Sequence, residues 1–188
     1  MSDTPSDTHA ISHPLRVNDL SKAKATRVTL TPPAAACAAL ATQMGIEAVR
    51  KLRFEVTLTP VGRGDWQLDG TLGATVVQAC VATLEPVTTR IDETVSRSYV
   101  NDYTPAPDGS ELEMPEDDTV EPLTPIIDLG AVLSEALALA LPLYPRADGA
   151  TLGEAIFTEP GKAALTDDDV KPFAGLAGLR DKLKNEGE

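Results

Sequence analysis

Between residues 46 and 59 the chain alternates in a way that fixes its local shape. Leu52, Phe54, Val56 and Leu58 are apolar, and Arg53, Glu55 and Thr57 between them are polar. Successive side chains of a strand point to opposite faces, so this spacing predicts a half-buried strand over residues 46–59. It excludes an amphipathic helix, whose apolar positions recur every three or four residues. A turn over residues 60–65 follows, with Gly62 and Gly64 supplying the flexibility. Residues 66–71 and 74–80 are predicted as two further strands, separated around Gly70 and Gly73. After a turn at Glu85-Pro86, residues 87–100 alternate again through Val87, Ile91, Val95 and Tyr99. Consecutive strands joined by short turns predict an antiparallel meander.

The flanks of this region read differently. Residues 11–17 and 24–30 are short strand candidates, the second with Val28 and Leu30 on one face. An Ala-rich stretch predicts a helix over 32–44, with Thr31 as N-cap, Pro32 in the first turn and Gly45 as a left-handed C-cap. Cys37 falls inside it as a small apolar core residue. Further on, Asp128 is placed to cap a helix that runs to Leu141 and stops at Pro142. Its stripe of Leu129, Val132, Leu133, Ala136, Leu137 and Ala140 has helical spacing and needs a sheet to cover it. A second amphipathic helix is predicted over 172–184, with Phe173, Leu176, Leu179 and Leu183 on one side. The fold class is therefore α+β: an antiparallel β-meander or partly closed sheet packed by a few helices, with a long acidic loop. One domain over residues 13–184 is expected, between a flexible tail at 1–12 and a short tail at 185–188.

Charge locates the loop. The 188 residues carry 16 basic and 29 acidic side chains, a net charge of −13. Nine of the acids, with five prolines and no Lys or Arg, lie within residues 101–130. Like charges and frequent proline oppose both helix and central strand, which predicts a solvated acidic loop at about 104–124. No run of apolar residues is long enough for a transmembrane helix, and the N-terminus lacks the basic and apolar regions of a secretory signal. A cytoplasmic protein with no membrane contact is expected.

Chemistry is sparse. The two histidines, His9 and His13, lie near the N-terminus, and Cys37 and Cys80 are too few and too far apart for a disulfide framework or a four-ligand zinc site. No phosphate-binding, hydrolase or calcium-loop motif is present, and Asp92-Glu93 and Asp167-Asp168-Asp169 have no placed partner. No enzymatic activity, no cofactor and no metal are expected. The remaining candidates are basic: Arg50, Lys51 and Arg53 on one strand, with Lys51 and Arg53 on the same face, together with Arg90 and Arg97 on the meander. They form either a small positive face for RNA phosphates or the wet side of an amphipathic sheet. The stripe has no interleaved aromatics on which bases would stack, and Trp66 reads as a core residue.

Two ordered segments carry a family pattern. The run LDGTLGATVVQACVATLEPVTTRIDETVSRSYV, then an acidic stretch, then IDLGAVLSEALALALPLYPRADGA, resembles the YceD family of large ribosomal RNA subunit accumulation proteins. The resemblance extends over roughly residues 15–183, through the cysteine turn before Leu84-Glu85-Pro86 and the helix start at Ile127-Asp128-Leu129-Gly130. It implies a bacterial protein needed for accumulation, processing or assembly of large-subunit (23S) ribosomal RNA. The partner would be a large-subunit RNA precursor or a ribosomal protein, with no DNA expected. Many relatives carry a second cysteine three positions after the first and further cysteines after the Leu-rich helix. Here Thr83 stands at the former position and residues 143–153 hold no cysteine, so the implied metal site is rejected for this chain. The alternative to an RNA-binding factor is a protein-interaction module or chaperone for a basic ribosomal protein, without RNA contact. The acidic loop would then engage that protein, or else repel RNA.

Overall fold

A computed structural model describes residues 10–103 and 119–151. The predicted helix at 172–184, both tail ends and most of the acidic stretch lie outside them. In chain order the elements are β1 (Pro14–Arg16), a 3-10 turn at Val17–Asp19, β2 (Thr26–Leu30), α1 (Ala34–Gln43), β3 (Ala48–Val61) and β4 (Asp65–Ala79). They continue with β5 (Pro86–Val100), β6 (Val120–Pro122), β7 (Ile126–Asp128) and α2 (Leu129–Ala140).

Five strands form one sheet in the order β2-β3-β4-β5-β6, antiparallel except for the short parallel pairing of β6 with β5. The meander is as expected, but the sheet is open rather than partly closed, with β2 and β6 as its end strands. β1 and β7 pair separately, Pro14 with Asp128 through Arg16 with Ile126. Alternation sorts the side chains. Phe54, Val56, Leu58, Trp66, Leu68, Leu72, Ala74, Val76, Ile91, Val95 and Tyr99 are buried in one cluster with both helices. The mixed α+β class holds.

The expected break between two strands at Gly70 and Gly73 does not exist, because β4 runs unbroken through both. These glycines mark close approaches instead. A Cβ on Gly70 would stand 2.5 Å from the Glu55 carbonyl and 2.6 Å from a Val56 methyl. The stretch assigned to loop at 104–124 also contains a strand, since Val120–Pro122 pairs with Ser98–Val100.

Both helix ends follow from local chemistry. α1 begins two residues later than expected, with Pro33 and not Thr31 at the N-cap. At its other end the Ile46 N–H donates to Ala41 and the Gly45 N–H to Thr42, the paired bonds of a Schellman cap, with Gly45 at φ +66°. α2 is capped as predicted by Asp128, whose carboxylate accepts from the Gly130 N–H at 2.8 Å. The same carboxylate accepts from the His13 N–H at 2.7 Å and the Ser12 hydroxyl at 2.8 Å. It thereby pins residues 11–13 across the start of the helix, and Ile11 enters the core. Gly130 permits that crossing, because a Cβ there would collide with the Ile11 carbonyl.

Candidate nucleic-acid interface

The positions of the basic residues follow from strand register. On β3, Arg53 lies opposite Gly73 and Arg50 opposite Thr75, with a register shift between them. Two residues, Lys51 and Leu52, therefore face one across the ladder, and Lys51 adopts φ +50°. This is a β-bulge. Without it, strict alternation from Leu52 and Phe54 would turn Arg50 inward and Val49 outward. With it, Val49 is buried and both Arg50 and Lys51 are exposed. The expected face shared by Lys51 and Arg53 is thus re-cut: Arg50 and Arg53 share the outer face of the sheet, and Lys51 projects from the bulge between them.

β5 completes this surface. Thr75 is paired with Arg90 and Gly73 with Asp92, giving adjacent cross-strand rows of Arg50, Thr75, Arg90 and of Arg53, Gly73, Asp92. Gly73 leaves room for the Arg90 side chain to lie across it; a Cβ at that position would meet the guanidinium at 2.6 Å. A groove of about 400 Å³ runs here between Arg53 and Arg90, with Thr71 and Thr94 along it.

Two of these arginines have a carboxylate two residues along their own strand. Arg53 pairs with Glu55 and Arg90 with Asp92. The hydrogen bonds and charge of these arginines hold both carboxyls below the usual carboxylate range. All four side chains are about half exposed. Such exposed local pairs contribute little to stability, so an incoming phosphate can take over the guanidinium hydrogen bonds at small cost.

Arg97 stands apart. It is paired with Leu68 on the inner side of the sheet and is only 15% exposed. Its guanidinium reaches Glu121 of β6 at 3.0 Å and Glu135 of α2 at 3.1 Å. Burial pushes the Glu121 carboxyl up against the opposing pull of Arg97, and burial pushes Tyr99 beside them up to about 12. Arg97 ties three elements together and does not join the other four cations.

The cysteine turn is closed without a cluster of ligands. Cys80 is fully buried, and its sulfur accepts from the backbone N–H of Ala82 and of Ala147, each at 3.4 Å. Hydrogen bonds from Thr83 and from these backbone groups lower its thiol to about 6. The Val81 N–H donates to Pro145 at 2.9 Å, fastening the same two loops. Thr83 and Ala147 occupy the space around the sulfur, a set that does not fit a four-thiolate metal site. No group of three or more His, Cys, Asp or Glu side chains is positioned to hold a metal among the described residues.

No described helix is long and apolar enough to cross a membrane. Neither a curated protein nor a solved structure matches the chain. A family model does, that of the large ribosomal RNA subunit accumulation protein YceD, over residues 68–180. The match runs from near the start of β4 through the cysteine turn, β5 and α2, more than half of the chain, and the protein belongs to the YceD family.

Proposed function

We propose that this protein is a non-enzymatic factor that supports accumulation of large-subunit ribosomal RNA in the bacterial cytoplasm, binding precursor RNA through the outer face of its sheet. Membership of the YceD family supports the role in ribosomal RNA. The contact is carried by one observation: Arg50, Arg53 and Arg90 converge around Gly73 on one face, with Lys51 beside them. Guanidinium groups matched to phosphate oxygens, along a groove without stacking aromatics, suit recognition of a backbone rather than of base edges. Arg97 takes no part in this contact.

The test is RNA crosslinking and binding against salt with Arg50, Lys51, Arg53 and Arg90 changed together to Glu. Each phosphate contact contributes about 0.7–0.9 to the slope of log affinity against log salt, so four lost contacts should flatten it by roughly three. Changing Arg97 to Glu is not informative here, because it would break the tie to α2. Unaltered crosslinking in the fourfold variant would reduce the basic face to solvated surface. Co-sedimentation with large-subunit precursors supports this reading, whereas a soluble complex with one basic protein and no RNA supports the chaperone alternative.

A further inference from the structure

Among the described residues, the last long strand of the meander is open along most of one side. β5 pairs with β4 from Pro86 to Tyr99, but β6 covers only Ser98–Val100 on the opposite side. The short pairing reveals which backbone groups point outward. The Ser98 N–H donates to the Thr119 carbonyl, and the Val100 carbonyl accepts from the Leu123 N–H, both at 2.9 Å. Even-numbered residues of β5 therefore turn their N–H and carbonyl away from β4. The β4–β5 ladder has no register shift, so the same holds for Thr88, Arg90, Asp92, Thr94 and Ser96. Among the described residues no strand occupies this edge.

The edge is shaped for more than solvent. A groove of about 250 Å³ lies between it and α2, with Val95, Ala136, Leu139 and Ala140 among its lining. Leu139 is 74% exposed at the rim. Asp92, Glu93, Glu121 and Glu135 surround the edge, and the two arginines nearby, Arg90 and Arg97, are already ion-paired. The local balance is negative. A second copy laid edge to edge would oppose like charges, the usual device against self-pairing.

We propose that the β5 edge is a docking surface for an extended basic peptide segment of a partner protein, added as a further antiparallel strand. Its apolar residues at alternate positions sit beside Val95 in the α2 groove. The lysines or arginines between them lie beside Asp92 and Thr94 and direct their backbone groups at β5. This mode takes affinity from main-chain hydrogen bonds and selectivity from alternate side chains. This edge borders the RNA face, whose groove also reaches Asp92 and Thr94, but the proposal does not rest on RNA binding.

The probe is a labelled peptide in which lysine alternates with valine, titrated onto the full-length protein by fluorescence anisotropy. Methylation of the lysine amide nitrogens should weaken binding by about tenfold or more, and methylation of the valine nitrogens by no more than about twofold. Thr94→Pro removes an outward N–H and no bond to β4, so it should abolish binding at unchanged melting temperature. Leu139→Lys, at an exposed position, should do the same should the proline variant fail to fold. Equal binding of the two methylated peptides, or full binding by Leu139→Lys, would mean simple charge attraction and overturn the proposal. So would a dimer of the free protein that Thr94→Pro dissociates.

Discussion

The two faces of the sheet each hold arginine beside carboxylate, and they use the pair for different ends. On the inner side Arg97 joins carboxylates from β6 and α2, elements distant in sequence, and is nearly sealed from water. On the outer side Arg53 and Arg90 meet carboxylates two residues away on their own strands, in the open. A tie between elements fixes the fold. A local tie along one strand fixes nothing beyond that strand, and it leaves the guanidinium available to a competing anion. The same residue type is thus structural on one face and exchangeable on the other.

This contrast can be broken most sharply through packing. Phe54→Ala, in the inner cluster, should cost about 3–5 kcal/mol, whereas Thr57→Ala on the outer face should stay within about 0.5 kcal/mol, both read by denaturant unfolding. Among the arginines, Arg97→Met should destabilise by about 1–3 kcal/mol, because Glu121 is left half-buried opposite Glu135. Adding Glu121→Gln to that variant should recover part of the loss, while Arg90→Met alone should cost under about 0.5 kcal/mol.

The helix cap provides a pH test. Burial acts to raise the Asp128 carboxyl, but hydrogen bonds from His13, Ser12 and Gly130 outweigh it and hold the group below its ordinary 3.8. Its folded value lies below its unfolded one, so its stabilisation is complete above the unfolded value and is lost as pH falls through the folded one. Asp128→Ala should cost about 1 kcal/mol at neutral pH and flatten the acid limb of stability against pH. The smallest effect sharpens the outer face. Lys51→Gly relieves a positive φ at the bulge and should stabilise by up to about 1 kcal/mol, while removing one cation from RNA binding.

The alternation that defines β3 and β5, the apolar stripe of α2 and the cap at Asp128 were all legible, because each is a local pattern with one physical reading. The bulge carried a faint signal. Val49 and Leu52 are both apolar with Arg50 and Lys51 between them, which strict alternation cannot satisfy. The separation of Arg97 from Arg90 was also available, since seven residues along a strand changes the face. What the sequence could not supply was its partners, because Glu121 and Glu135 meet Arg97 only through long-range pairing. Gly70 and Gly73 were misread for a related reason. Glycine signals either a break or a close approach, and only the neighbouring strand decides which.

The Asp128 carboxylate meets Ser12 across 116 positions of sequence, and that separation has a consequence for the order of assembly. On a translating ribosome, residues 11–16 emerge long before their receptor does. At a synthesis rate of about 5–20 residues per second, they wait roughly ten seconds for residue 128 to follow. Until then Ile11 has no completed pocket and β1 has no strand to pair with, while the β3–β4–β5 meander can close on contacts already made. The clasp is a late event in the birth of the molecule, and it reports that the chain has been read through α2's beginning.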